Sequence, residues 1–136
     1  MPQISTLRRL LLAAAAGLAL VSAQAQNYPS KTISLIVPYP AGGPSDFFAR
    51  KVQPEAATKL GQTMIVENIG GAGGSIGLSR LINAPADGHM LALASPMELV
   101  LAPLAIQGVK YKPEDFKMVA QFATTNTILA VRTSLG

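Results

Sequence analysis

The chain has 136 residues, of which 49% are hydrophobic and 13% are charged, and its formal net charge is +4 at pH 7. It has no cysteine and one histidine, which excludes disulfides, thiolate nucleophiles and cysteine metal sites, so we expect neither a metal nor a cofactor. It offers three tyrosines, four phenylalanines and no tryptophan for stacking on bases, which argues against nucleic-acid binding.

The first 25 residues have the parts of a secretory signal peptide. Arg8 and Arg9 precede an apolar run over residues 10–21, and small residues follow up to Ala25, after which we expect cleavage. A membrane-spanning anchor is the alternative, but the run is shorter than the ~20 residues that cross a bilayer. We therefore expect export from the cytoplasm, by the general or the twin-arginine route, and a mature chain of residues 26–136.

The first predicted strand and helix are joined by a turn rich in proline and glycine. Residues 31–39, KTISLIVPY, are rich in branched apolar side chains, which predicts a strand covered on both faces. Ser45 is placed to cap a helix that carries Asp46 in its first turn. We expect this helix to end at Gly61 and to kink or break just before Pro54, because proline removes a backbone donor.

The same order of strand, glycine-rich turn and helix then repeats. Residues 63–69 predict a second strand, and residues 75–83 predict a second helix after the turn NIGGAGGSIG. An Asp-Gly turn at residues 85–89 leads to a third apolar strand over residues 90–95.

The last third of the chain gives weaker signals. Residues 96–108 are apolar enough for a short buried helix, which Pro103 would interrupt. Residues 112–116 predict a helical turn, and residues 118–122 and 127–132 predict short strands. The alternation of strands and helices along the whole chain predicts an α/β fold with a mostly parallel sheet.

The two glycine-rich turns follow strands, so they are expected to meet at the carboxyl edge of the sheet, where ligands usually bind. Glycine exposes backbone N–H groups, and a helix start adds unpaired donors and a partial positive charge, so the pair favours an anion. The alternative is that glycine only lets a strand turn tightly into a helix. Because two such turns occur in one short chain, we favour a site for a carboxylate.

Other site chemistries fit the residues less well. Neither turn has the lysine of a phosphate-binding P-loop, and a dinucleotide fingerprint through Gly71, Gly73 and Gly77 lacks an acid at the end of the next strand. A Rossmann-like nucleotide- or dinucleotide-binding enzyme domain is therefore the alternative. His89 is expected in an exposed loop rather than as a general base, and Ser95 has no identifiable partner, so no catalytic residue is predicted.

Asp46 has two interpretations. It lies four residues before Arg50, so the structural interpretation is an i,i+4 ion pair on the helix. In the functional interpretation, its carboxylate accepts a hydrogen bond from a ligand hydroxyl or ammonium group. A ligand carboxylate is not expected to approach it, because two like charges repel by about 3 kcal/mol at ~6 Å and an effective dielectric of ~20.

Three motifs occur in the order YPSKTISLIVPYPAGGPSD, LGQTMIVENIGGAGGSIG and PADGHML. They resemble those of the periplasmic solute-binding proteins of tripartite tricarboxylate transporters, also called Bug receptors. The resemblance implies a periplasmic binding protein-like (type 2) fold of two α/β lobes, of which residues 26–136 form the first lobe of a truncated chain. It also implies a monomeric, non-enzymatic periplasmic receptor that carries a di- or tricarboxylate, an acidic amino acid or an aromatic acid to a membrane permease.

The resemblance further implies which residues face the ligand. In the family two loops hold a ligand carboxylate, partly through water, and a residue after the third strand lies near them. The matching residues here are Pro40, Ala41, Gly42, Gly43, Ser45 and Asp46, then Ala72, Gly73, Gly74, Ser75, Ile76 and Gly77, and finally Ser95. The chain departs from the family pattern at Ile69 and Gly70, where a basic residue and proline are common, and at His89, where an aromatic residue is common. These departures bear on ligand selectivity.

Overall fold

The computed structural model describes residues 28–124 together with residues 130, 132 and 134. The signal peptide predicted at residues 1–25 and most of the strand predicted at residues 127–132 lie outside these residues. The chain divides into two compact units, Met1–Ser30 and Lys31–Gly136. Among the described residues, no helix is both long enough and apolar enough to span a membrane.

A parallel sheet of three strands lies at the centre of the second unit. The strands are β1 (Ile33–Val37), β2 (Met64–Asn68) and β3 (Met90–Ala92), and their order in the sheet is β2-β1-β3. Both neighbours pair with β1 in parallel. The predicted α/β fold with a parallel sheet is confirmed.

All five residues of β1 are buried, as predicted for a strand covered on both faces. Leu35 pairs with Val66 of β2 and with Leu91 of β3, and all three side chains belong to the core on one face of the sheet. Ile36 points to the other face, since successive side chains of a strand alternate, and there it lies against Gly77. The hydrophobic core is therefore divided between the two faces of β1.

The first helix, α1 (Pro44–Leu60), covers the face that carries Leu35. Its N-cap is Gly43, which has no side chain to cap with, so the predicted capping by Ser45 is wrong. Its predicted end is confirmed at Gly61, which adopts the left-handed conformation with φ 65°. The helix continues through Pro54 without a break, because Pro54 is exposed and water can satisfy the carbonyl that loses its helical donor.

The second glycine-rich turn contains a short 3₁₀ turn, Ala72–Gly74, and leads directly into helix α2 (Ser75–Ile82). The predicted second strand and second helix are both confirmed, with bounds that differ by one residue. Leu78 of α2 is fully buried on the face of the sheet that carries Ile36. The two helices thus cover opposite faces of β1.

The third strand is shorter than predicted. Met90–Ala92 pair with β1, and the N–H of Leu93 donates a last hydrogen bond to the carbonyl of Ile36 at 2.9 Å. Residues 97–105 are helical: a π-helical turn, Met97–Leu101, continues into a single α-helical turn, α3 (Ala102–Ala105). Pro103 lies inside this helical segment and does not interrupt it.

The segment after α3 runs mostly along the surface. A 3₁₀ turn at Pro113–Asp115 confirms the helical turn predicted at residues 112–116. The strand predicted at residues 118–122 is wrong. Met118 is 73% exposed and Val119 is 80% exposed, so these apolar side chains do not pack on the sheet, and no described strand pairs with them.

Candidate functional site

A pocket of about 630 Å³ lies at the carboxyl ends of β1 and β3. The chain leaves β1 toward β2 on one side and returns to β3 on the other, so the loops after β1 and β3 diverge and leave a crevice between them. The turn after β1 forms most of the wall, and Ser95 approaches from the segment after β3. The lining residues are Tyr39, Pro40, Ala41, Gly42, Gly43, Pro44, Ser45 and Ser95.

The turn after β1 carries unpaired backbone donors. Among the described residues, the N–H groups of Ala41, Gly43 and Ser45 donate to no protein acceptor. Ser45 also lies in the first turn of the 17-residue helix α1, where the helix dipole supplies a partial positive charge. Free amides and a helix start are the features that bind anions without a basic side chain, so this part of the pocket suits a carboxylate.

The second glycine-rich turn contacts the first one but does not line the pocket. A Cβ atom on Gly70 would lie 3.4 Å from Cδ of Pro40, which places the two turns side by side as predicted. Gly74, Ser75 and Gly77 are buried, whereas Ala72, Gly73 and Ile76 are exposed outside the pocket.

Two glycines of the second turn are sites of close approach. A Cβ atom on Gly77 would lie 2.7 Å from the carbonyl oxygen of Ile69, and one on Gly74 would overlap Cγ of Glu98. Gly74 also has φ +89°, a conformation that residues with a Cβ rarely adopt. At Gly74 and Gly77, glycine therefore serves close packing. This is the structural alternative to an anion site that the sequence left open.

Asp46 is held by three groups of the protein. Its Oδ2 accepts hydrogen bonds from the N–H of Gly42 at 2.9 Å and from Nε of Arg50 at 3.0 Å, and its Oδ1 accepts one from Nδ2 of Asn68 at 3.0 Å. The predicted i,i+4 ion pair with Arg50 is therefore present. Asp46 lies outside the main pocket and borders a smaller one of about 310 Å³ beside Phe47. Its carboxylate holds the turn after β1 in place and does not face the unpaired amides of Ala41, Gly43 and Ser45.

The network around Asp46 predicts a loss of stability in acid. Hydrogen bonding from Arg50, then from Gly42 and Asn68, lowers the pKa of Asp46 to about 2 from its ordinary value of 3.8. Its contribution to stability is therefore complete above pH ~4 and is lost as the pH falls through ~2. Urea unfolding between pH 6 and pH 2 should show wild-type stability converging on that of Asp46→Asn at the acid end. Parallel curves for the two proteins would contradict this prediction.

Sequence reasoning did not identify Glu98, which lies next to Ser95 and is fully buried. Its Oε2 accepts hydrogen bonds from the backbone N–H of Ser95 at 2.8 Å and from the Ser95 hydroxyl at 2.5 Å. The backbone carbonyl of Glu98 accepts a hydrogen bond from the Tyr111 hydroxyl at 2.7 Å. Burial, and then the Glu98 carboxyl group, raise the pKa of the Tyr39 phenol above its ordinary value of 10. A lone acid within the apolar run MELVLAPLAI was the available signal, since buried acids are rare without a specific role.

The sequence of residues 48–135 matches the family described as tripartite tricarboxylate transporter family receptors. The chain belongs to this receptor family. The resemblance stated from the sequence motifs is thereby confirmed.

Proteins from two bacteria are similar to the chain in sequence. It is 46% identical over 99 residues to a UPF0065 protein of Agrobacterium vitis, covering 71% of the chain and 28% of the relative. It is 41% identical over 93 residues to BugT of Bordetella pertussis, covering 68% of the chain and 27% of the relative. The chain thus spans about a quarter to a third of the length of these two relatives.

Solved structures share the fold, one of them of a periplasmic transporter. MatC from Rhodopseudomonas palustris with bound malate superposes with a TM-score of 0.62 at 36% identity, covering 65% of this chain and 31% of MatC. Another R. palustris protein, solved with adipate, superposes with a TM-score of 0.55 at 27% identity, covering 64% of this chain and 29% of that protein. The predicted fold class, part of one lobe of a periplasmic binding protein, is confirmed.

One expectation about this receptor chain is wrong. His89 was expected in an exposed loop, but it is only 9% exposed. Its carbonyl accepts a hydrogen bond from Ser34 of β1 at 2.8 Å, and its N–H donates to Oδ1 of Asp87 at 3.0 Å. Backbone pairing at the start of β3 therefore buries His89 beneath the Asp-Gly turn. This position is at the end of the sheet away from the pocket.

Proposed function

We propose that the chain is the first lobe of a periplasmic receptor that captures a small organic carboxylate and delivers it to a tripartite tricarboxylate-type permease. The observation that carries the proposal is the pocket between β1 and β3, where the amides of Ala41, Gly43 and Ser45 have no described protein acceptor and α1 begins. A carboxylate in this pocket would accept hydrogen bonds from those amides and gain from the helix dipole. The malate and adipate bound by two structural neighbours are ligands of this chemical class.

The proposal assigns the pocket to binding rather than catalysis. In it, Pro40–Gly43, Ser45 and Ser95 form one wall of the ligand site, and the second turn from Ala72 to Gly77 packs beside this wall. Sites of this kind bury most of the ligand between two walls, and the other wall would come from the second lobe of the receptor. The receptor would act as a monomer in the periplasm, after removal of residues 1–25.

Titration with a matched pair of ligands, followed by amide NMR spectra, tests the proposal. Succinate and succinamide have the same carbon skeleton, but only succinate carries negative charges for the free amides. We expect succinate to move the signals of Ala41, Gly43 and Ser45 in a saturable way, with a dissociation constant of about millimolar order because one wall acts alone.

The same titration has outcomes that would overturn the proposal. Succinamide should leave these signals in place, since it cannot accept charge-assisted hydrogen bonds. Equal effects of the acid and the amide would show that the pocket does not select carboxylates. No saturable shift with succinate, malate or adipate would remove the site altogether.

A further inference from the structure

The Ser95 hydroxyl at the pocket wall has its proton directed away from a ligand. The Ser95 hydroxyl lies 2.5 Å from Oε2 of Glu98. In its ionised form the carboxylate can only accept hydrogen bonds, and Ser95 then donates its proton to Oε2. The backbone N–H of Met97 donates to one lone pair of the same hydroxyl at 3.2 Å. The second lone pair of the Ser95 oxygen can accept a hydrogen bond but cannot donate one. It is shared between the pocket and the Tyr39 phenol, which also lines the pocket and interacts with the Ser95 and Glu98 side chains.

Glu98 is held in place for this arrangement. It is fully buried, and its Oε2 also accepts the backbone N–H of Ser95. Among the described residues, its Oε1 has no hydrogen-bond partner. Gly74 leaves the space that the Glu98 side chain occupies, since a Cβ atom there would overlap Cγ of Glu98. Ser95 and Glu98 have the Ser-x-x-Glu spacing of a capping box, so the bond from the Ser95 N–H also stabilises the start of the helical segment. The feature that a role at the pocket explains is the full burial of the acid beside the Ser95 hydroxyl.

The two ends of this wall therefore differ in polarity. The start of α1 offers N–H donors, and Ser95 offers an acceptor backed by the Glu98 carboxyl group. A ligand that carries a carboxylate and, nearby, a hydroxyl or ammonium group would match both ends. A second carboxylate at Ser95 would face a lone pair and a buried acid, which is unfavourable.

We propose that Glu98 is a positioning residue that fixes Ser95 as an acceptor and so makes the receptor prefer carboxylates with a neighbouring hydroxyl or ammonium donor. This inference rests on the proposed function and specifies its ligand class. Malate and succinate are suitable probes, because they differ by a single hydroxyl. We expect the wild-type chain to bind malate about tenfold more tightly than succinate, a difference of about 1.4 kcal/mol.

Two substitutions of Glu98 separate its hydrogen-bonding role from its packing. Glu98→Met keeps the length but removes the acceptor, so Ser95 is free to donate and the malate-to-succinate ratio should fall to about one. Glu98→Gln retains a carbonyl oxygen that can accept from Ser95, so the ratio should be rescued. Glu67→Met is the matched control, because Glu67 accepts from the Ser34 hydroxyl in the same way but lies away from the pocket.

NMR titrations of all four proteins with both acids decide the inference. If Glu98→Met fails to fold, Ser95→Ala replaces it in the test. Ser95→Ala should likewise bring the malate-to-succinate ratio to about one. A wild-type ratio near one, with both acids bound, would overturn this inference and leave the proposed function intact. Binding of neither acid would overturn both. Loss of the ratio in Glu98→Gln, or in the Glu67 control, would show that Ser95 polarity is not the cause.

Discussion

Replacing Ile36 with alanine should lower the free energy of unfolding by about 2 to 5 kcal/mol, the range for large-to-small substitutions in a core. Ile36 is fully buried in β1, the central strand, and lies on the face covered by α2. Its neighbours Pro38 and Gly77 have no flexible side chain that could move in to fill the cavity. Urea unfolding of the wild-type and variant proteins at pH 7 measures the difference.

Ile65→Ala is the matched control, because it makes the same chemical change one strand away. Ile65 of β2 is 44% exposed, so the substitution removes less buried surface and should cost no more than about 1.5 kcal/mol. Similar losses for Ile36 and Ile65 would mean that β1 is not covered on both faces. The comparison thus tests the two-layered core on which the position of the pocket depends.

The order of elements was predictable from local sequence signals. The run of branched apolar side chains in residues 31–39 predicted a strand buried on both faces. Gly61 predicted the left-handed conformation that ends α1. Each of these features depends on a few consecutive residues. The strand predicted at residues 118–122 failed because it depended on an apolar pattern alone, and pairing partners decide whether such a run becomes a strand.

The position of the pocket was only partly predictable. The sequence brings the turns after β1 and β2 together, and the structure does place Gly70 against Pro40. The pocket itself, however, opens between the segments after β1 and β3, because β3 joins the sheet on the other side of β1. Strand order is a long-range property that no local pattern records, so only Ser95 from the family resemblance pointed to that side.

The polarity of the pocket could not be read from the sequence either. Whether the Ser95 hydroxyl donates or accepts depends on Glu98, which reaches it because a helical segment starts directly after Ser95. The buried acid was visible as an exception in an apolar run, and the Ser-x-x-Glu spacing of residues 95–98 is that of a capping box. The sequence does not record that the pair lies at a pocket, because that depends on strand order.

Replacing Gly77 with alanine should destabilise the protein by about 1 to 3 kcal/mol, the usual cost of overfilling a packed core. The new methyl group would lie 2.7 Å from the carbonyl oxygen of Ile69, 3.1 Å from Cβ of Pro38 and 3.2 Å from Cγ2 of Ile36. The nearest of these atoms belongs to the backbone, so relief requires α2 to move away from β1. The loss should appear as a lower urea midpoint in the variant.

Gly43→Ala separates this packing role from the role of glycine at the pocket. Gly43 has an ordinary φ of −80°, and a Cβ atom there would meet only the carbonyl oxygen of Pro40 at 3.6 Å. Alanine reduces the flexibility of the unfolded chain but is a weaker N-cap than glycine, so the stability should stay within about 1 kcal/mol of the wild type. If Gly43→Ala were as destabilising as Gly77→Ala, both turns would be structural. A stable Gly43→Ala protein would instead show that packing does not require glycine in the turn after β1. The free amides of this turn are then available for a ligand.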